Sequence, residues 1–356
     1  MVCVVTFIVN QNFCRGFLMT KKVIRPQTFF VALMLSLVST HVAALNIALT
    51  NDDGWDSQGI QTLRAALLSA GHKVTLAGSS ENQSGSSAAI DFGQGNVLVT
   101  KKFEDGEAAP GGDQYAVSLS SGAGAEPATA GQIAIAIAGQ GGAAVDLLIS
   151  GTNAGANVGA FTNVSGTVGA TIHGISLTTG ARLPAIAIST NEPQPMLFCP
   201  VGNRAQCEAA NLSHFEVVAD WMIKFIAALE KQPGKLKKSK RLLPDGIALN
   251  INYPVSDEIL GVQSNVQGRL PSMAGRALGL PLGCYGDCAG AAVNESIPAG
   301  VLEPKVLDGV EERKNADTAA FEGGYVSIVV INTDLTASKA ERKLISRLVK
   351  NLNAKY

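Results

Sequence analysis

The residues best placed to do chemistry begin at "LTNDDGWDSQGI", where Asp52 and Asp53 stand side by side directly after an apolar run. In a regular strand successive side chains point to opposite faces, so adjacent carboxylates could not address one ligand. A chain that leaves the strand at Asn51 and turns sharply at Gly54 can bring both to the carboxyl edge of a sheet, where open α/β sheets bind ligands. Carboxylates held that close repel each other and raise one pKa unless a cation lies between them. A hard divalent ion held through oxygen, Mg2+ or Mn2+, answers that repulsion. Taken alone, Asp53-Gly54 fits a turn and Asp52 a helix cap equally well.

Three polar, glycine-flanked stretches add to the pair: "SENQSG" (80–85), "SGTNAGAN" (150–157) and "NVSGTVGATIHG" (163–174). Ser84 and Asn153 can supply neutral oxygens to an ion whose charge Asp52 and Asp53 balance, leaving positions for water and substrate. Ser165, Gly166 and Thr167 put hydroxyls and backbone N–H groups at the start of an expected helix, an arrangement suited to phosphate. Asn157 is grouped with them on the substrate side. One divalent ion per subunit beside a phosphate cradle points to hydrolysis of a phosphate ester, with Asp52, Asp53 and Asn51 as catalytic residues.

These residues need a scaffold that presents loops at one edge. After Ala44 the pattern alternates short apolar strands with amphipathic helices. "NIALT", a helix carrying Ile60, Leu63, Leu67 and Leu68, and "KVTLAG" make a β-α-β opening. "AVDLLIS", "LPAIAIST", "GIALNINYP" and "GYVSIVVI" are further strands. Their unbroken apolar runs suit a mostly parallel sheet buried on both faces, so the fold is read as doubly wound α/β. Ser213 and Glu216 fit a capping box opening a helix with Phe215, Val218, Trp221, Met222, Phe225, Ile226 and Leu229 on one stripe. Residues 255–315 are rich in Gly, Pro and Ser and read as a loop-rich extension.

Lys plus Arg number 28 against 29 Asp plus Glu, so no basic field points to nucleic acid or an anionic membrane. Residues 1–44 read as an export signal, starting at Met1 or Met19. Lys21, Lys22 and Arg25 precede "FFVALMLSLV", and "HVAA" offers cleavage after Ala44. That apolar run is about ten residues, short of the roughly 20 that span a bilayer, so no stable anchor is expected after cleavage. An exported, periplasmic or secreted protein follows. Beyond the signal Cys199, Cys207, Cys284 and Cys288 remain. Bridges from Cys199 to Cys207 and from Cys284 to Cys288 are the simplest of three pairings.

"TNDDGWDSQGI", "ENQSG", "VDLLISGTNAGANVG", "SGTVGA", "LPAIAIS", "LNINYP" and "GGYVSI" occur in that order from about Leu45 to about Thr336. Together they resemble the SurE family of survival-protein nucleotidases. The resemblance implies a Rossmann-like three-layer α/β/α fold over residues 45–336; the apolar stripe of Ala340, Leu344, Ile345 and Leu348 marks a C-terminal helix at 337–356. It implies a divalent cation, hydrolysis of nucleoside 5′- and 3′-monophosphates, in some members also of short polyphosphate, and assembly into dimers or tetramers. By position, the family's metal ligands fall on Asp52, Asp53, Ser84 and Asn153, and its phosphate loop on Ser165, Gly166 and Thr167. The chain departs from the family pattern at Gly78, Thr129 and His173.

Two rivals were weighed. An aspartate after a first strand can act as a nucleophile and form an aspartyl-phosphate. An exported nucleotide- or dinucleotide-binding protein without hydrolysis is the other, but "GAGAEP" (122–127) has Pro127 where a dinucleotide fingerprint needs glycine.

Overall fold

The structure is a computed structural model that describes residues 44–91, 95–102, 112–176, 182–231, 242–270, 282–283, 300–301 and 310–334. Residues 1–43 of the export signal expected at 1–44, Cys284, Cys288 and the helix expected at 337–356 lie outside the described residues.

The chain opens with β1 (Asn46–Thr50), α1 (Gln58–Ser69), β2 (Lys73–Ser79), β3 (Val97–Lys102) and β4 (Gly112–Leu119). It continues with α2 (Pro127–Ala138), β5 (Leu147–Ala154), α3 (Gly166–Ile175), β6 (Ala185–Thr190), α4 (Arg204–Lys231) and β7 (Ala248–Tyr253). The C-terminal part carries β8 (Gly261–Asn265), a short antiparallel ribbon of β9 (Leu282–Gly283) and β10 (Gly300–Val301), α5 (Asp317–Glu322) and β11 (Tyr325–Ile331).

Nine strands form one sheet in the order β3-β4-β2-β1-β5-β6-β7-β11-β8. From β4 to β7 every neighbouring pair is parallel, while β3 and β11 pair antiparallel to β4 and β7. The chain goes from β1 to β2 on one side and returns to β5 on the other. The carboxyl ends of β1 and β5 therefore flank the switch point where a doubly wound sheet opens a crevice.

Side-chain size decides how the layers pack. Ile47, Leu49, Leu76, Ile149, Ile186 and Ile251 face α1 and α4, whose Ile60, Leu63, Leu67, Val218, Met222 and Ile226 complete a large aliphatic core. The opposite face presents Ala48, Ala77, Ala185 and Ala248 to Ala130 and Ala134 of α2 and Ile175 of α3. Alanine on both sides lets α2 and α3 lie close to the sheet, so the start of α3 reaches the strand ends. The result is the expected three-layer α/β/α arrangement.

One boundary differs from its sequence reading. The helix expected to open at Ser213 begins at Arg204, and Ser213 is an exposed residue within it. Cys207 and Asn211 are buried about two turns and one turn before Phe215 respectively, so the inward stripe starts earlier than its large apolar members. Cys199 is bonded to Cys207 with their Cα atoms 6.3 Å apart, tying the loop before α4 to its first turns. Closing so short a loop contributes roughly 2–3 kcal/mol. Reduction, or Cys199→Ser, is expected to lower the melting temperature by several degrees; an unchanged melting curve with and without dithiothreitol would contradict this.

Candidate active site

Asp52 leaves the end of β1 and is buried at 3% exposure. The Thr167 hydroxyl donates to its Oδ1 at 2.5 Å, across 115 positions of sequence. Burial pushes the Asp52 carboxyl up, opposed by that hydroxyl and by the N–H groups of Asp52, Thr167 and Gly166. The carboxylate thus lies at the N-terminus of α3, where helix N–H groups favour negative charge. The N-cap of α3 is Ser165, so Asp52 adjoins that helix start without being its cap.

Asp53 points away from α3. Gly54 takes φ +114°, a conformation that side-chain-bearing residues rarely adopt, and the half-buried Asp53 accepts the Ala154 N–H at 2.8 Å through Oδ2. Burial pushes its carboxyl up to about 7, with Asp52 and then Glu192 adding to the rise. Neither ion pair found among the described residues involves Asp52 or Asp53.

Asn153 reaches the same edge because β5 bulges. Ser150 pairs with Ala187 and Asn153 with Ser189, so one extra residue is accommodated next to Gly151. A bulge reverses which face later side chains occupy. The Asn153 side chain is 7% exposed, and its Nδ2 donates to the Gly155 carbonyl at 2.6 Å. Its amide oxygen is then the group suited to a cation.

The substrate-side residues form a relay behind Asp52. Ser165 caps α3 by accepting the Val168 N–H at 3.1 Å, which leaves its own O–H to donate. Asn157 Nδ2 donates to Thr167 Oγ1 at 3.3 Å and to Ser189 Oγ at 2.8 Å. The Asn157 N–H donates to Asn252 Oδ1 at 2.7 Å, and its carbonyl accepts Asn250 Nδ2 at 2.8 Å. Asn157 is therefore locked within a buried amide network and reaches Asp52 through Thr167.

Ser84 lies on the loop after β2, which crosses the start of α3. The Gln83 N–H donates to the Asp52 carbonyl at 2.7 Å, and Ser87 N–H to the Val164 carbonyl at 3.1 Å. The Ser84 side chain is exposed, its N–H held by Asn82 Oδ1 at 2.9 Å. Asn51 is fully buried and donates from Nδ2 to Ser57 Oγ at 2.8 Å, bracing the acidic loop. His173 Nε2 meets the Ala88 carbonyl at 2.9 Å and so ties the same crossing loop to α3. Thr129 accepts the Asp91 N–H at 3.0 Å while Asp91 Oδ2 accepts the Glu126 N–H at 2.9 Å, fastening that loop to the start of α2.

Several residues of this edge escaped the sequence reading. The buried Ser86 hydroxyl has no hydrogen-bond partner, and a Cβ placed on Gly166 would lie 2.8 Å from it and 3.0 Å from Asp52 Oδ2. Its only signal was its place in the serine run "SGSS". Asn250 and Asn252 alternate in "LNINY", a period that marked one face of a strand without saying what that face met. Glu192 carried no signal in its own segment.

The donor chemistry fits a hard divalent cation: two carboxylates with raised pKa values, an amide oxygen and a hydroxyl, all oxygen. Among the described residues no group of three or more His, Cys, Asp and Glu is gathered.

A three-layer α/β protein with an oxygen-rich acidic cleft at its switch point is the class these features define. The chain belongs to the survival protein SurE family, whose model matches residues 47–272. It is similar to a 5′-nucleotidase SurE of Gloeobacter violaceus, 30% identical over 300 residues that span 82% of this chain and 91% of that protein. A 5′/3′-nucleotidase SurE of Serratia proteamaculans is 29% identical over 299 residues, covering 83% of this chain and 94% of that one. The crystal structure of the SurE protein from Aquifex aeolicus shares the fold, with a TM-score of 0.55 and 24% identity over 83% of this chain and 97% of that chain.

The raised Asp53 pKa gives metal-free protein a signed pH dependence. The folded state keeps a proton that the unfolded chain releases near the ordinary aspartate value of 3.8, so stability falls as pH rises from there through about 7. Thermal melts in chelator between about pH 4.5 and pH 8.5 are expected to show a loss toward high pH that Asp53→Asn reduces. Parallel curves for the two proteins would contradict the assignment.

Proposed function

We propose that the protein is a divalent-cation-dependent phosphohydrolase that releases phosphate from nucleoside 5′- and 3′-monophosphates. The observation that carries the reading is the pair of adjacent carboxylates at the switch point, raised in pKa, beside a helix start that bears hydroxyls. The printed names of the relatives, 5′-nucleotidase and 5′/3′-nucleotidase, support the substrate class.

Asp52, Asp53, Ser84 and Asn153 would hold one Mg2+ or Mn2+. Bound there, the cation supplies Lewis-acid polarisation of phosphate and water. The chain's own groups do the rest. Asn51 and Ser57 keep the acidic loop in place. Thr167 fixes the Asp52 carboxylate, so the acid does not have to reorganise as charge develops. The Ser165 hydroxyl at the start of α3, free to donate, is suited to an equatorial phosphoryl oxygen. A water oxygen bonds to phosphorus, the ester P–O bond breaks, and the alcohol leaves with a proton.

We propose further that the mature chain works outside the cytoplasm as a homo-oligomer, freed from residues 1–44. The Cys199–Cys207 bridge supports an oxidising compartment. Among the described residues no helix is long and apolar enough to cross a membrane.

The test is phosphate release from a panel of nucleoside monophosphates by the full chain. Chelator is expected to abolish release and Mn2+ or Mg2+ to restore it, with Asp53→Asn lowering kcat by on the order of 100-fold or more. Affinity for monophosphate that survives chelator, without phosphate release, would instead favour a binding protein. Thr167→Val removes the donor to Asp52 and is expected to lower kcat by roughly tenfold or more, as for a single positioned hydrogen bond to a charged group. Unchanged kcat would show that the relay is idle.

A further inference from the structure

The turn that leads into α3 is clasped by the C-terminal part of the chain. Gly159–Asn163 form a short 3-10 turn, and the Phe161 carbonyl accepts the Val164 and Ser165 N–H groups, each at 3.1 Å. Ser165, the cap of α3, therefore takes its position from this turn. On one side the serine loop holds it, Ser87 Oγ donating to the Asn163 carbonyl at 2.9 Å. On the other side lie residues 267–270. Gln267 Nε2 donates to the Gly159 carbonyl at 3.1 Å and to Asn163 Oδ1 at 3.0 Å, and the Ala160 N–H donates to the Leu270 carbonyl at 3.3 Å. The segments approach so closely that a Cβ on Gly159 would stand 1.8 Å from the Leu270 oxygen.

Asp317, the first residue of α5, joins the two segments. It is fully buried, and its Oδ1 accepts the N–H groups of Gly159 at 3.1 Å, Gly268 at 2.7 Å and Thr318 at 2.8 Å. Its Oδ2 has no hydrogen-bond partner among the described residues. Glu312 backs the clasp: its Oε1 accepts the Arg269 N–H at 2.7 Å, and its Oε2 accepts the Leu270 N–H at 3.1 Å and the Thr318 hydroxyl at 2.8 Å. Burying a carboxylate is costly, and what this one holds in register is the approach to Ser165.

We propose that Asp317 is a positioning residue for the phosphate side of the site, acting through the Gly159–Asn163 turn on the place where Ser165 presents its hydroxyl. The proposal rests on the reading of Ser165 as phosphate-binding given above. The same turn touches the buried amides, since Thr162 Oγ1 donates to the Asn157 carbonyl at 3.0 Å. The acids have anchors of their own, Thr167 for Asp52 and the Ala154 N–H for Asp53. Loss of Asp317 is therefore felt by phosphate before it is felt by a cation. A displacement of about 1 Å in a positioned group is enough to weaken its contribution by tenfold or more.

The experiment uses the full chain as wild type, Asp317→Ala, Asp317→Asn and Gln267→Ala, with Cys199→Ser as a destabilised control whose bridge lies elsewhere. Asparagine keeps an oxygen for the Gly159, Gly268 and Thr318 N–H groups. Gln267→Ala loosens the clasp without disturbing the buried acid, so it serves as the test if Asp317→Ala does not fold. Calorimetric titration of Mn2+-loaded protein with inorganic phosphate reads the phosphate side, titration with Mn2+ reads the cation side, and hydrogen exchange over residues 159–168 reads the turn. Asp317→Ala is expected to weaken phosphate binding by about tenfold and Gln267→Ala by about threefold, with Mn2+ affinity kept within about twofold. Both should speed exchange over 159–168 and raise KM for a nucleoside monophosphate more than they lower kcat. Asp317→Asn and Cys199→Ser should stay near wild type in all of these. Wild-type phosphate affinity in the folded clasp variants overturns the proposal, as does a fall in Mn2+ affinity as large as that in phosphate affinity. If wild type neither binds nor releases phosphate, the phosphohydrolase reading fails by itself. Exchange over 159–168 then decides the positioning role, an unchanged rate in the clasp variants overturning it and a faster one supporting it.

Discussion

Burying two neighbouring carboxylates is the constraint around which the ligand edge is arranged. Removing a charge from water is costly unless hydrogen bonds or an opposite charge compensate. Each acid has a dedicated partner drawn from far along the chain: Thr167 for Asp52 and the Ala154 N–H for Asp53. These contacts reduce the penalty without cancelling it, since both pKa values stay raised. A site left in that condition has an electrostatic reason to take up a cation, and the same unrelieved charge explains why the surrounding loops are so heavily tied down.

The rest of the fold can be understood as what holds those partners in register. The alanine-lined face of the sheet admits α3 closely enough for its first turn to touch Asp52. Behind it, Asn157, Ser189, Asn250 and Asn252 tie the ends of β6 and β7 into one buried amide network that terminates on Thr167. Such networks are rigid when their members are satisfied. The bulge in β5 then shifts the pairing register just before Asn153 and Ala154, whose N–H holds Asp53. On the other face, large aliphatic side chains of α1 and α4 hold the same strands from below. Asp52 and the buried amides behind Thr167 therefore form one continuous hydrogen-bonded network.

Much of the fold was legible in advance because its signals are local. Unbroken apolar runs marked the buried parallel strands, and helical spacing from Ile60 to Leu68 marked α1. Where an element depends on partners distant in sequence, the local pattern misled or was silent. The start of α4 was missed because its buried first turns carry Cys207 and Asn211, whose inward face is set by a disulfide and by a hydrogen bond to the Gln194 segment. The strands β3 and β8 occupy the ends of the sheet, and their mixed, partly exposed sequences lack the continuous apolar character of the centre.

The sequence alone determined the class of fold, the order of the strand ends and the acids, serine and asparagine that could serve a cation and a phosphoester, because periodicity and residue chemistry are properties of short stretches. Only the tertiary structure decided that Asp52 rests on the start of α3 and that Asn157 reaches it through Thr167. Those facts depend on sheet order, a bulge and the close approach of an alanine-faced layer, which bring together residues that no local pattern relates.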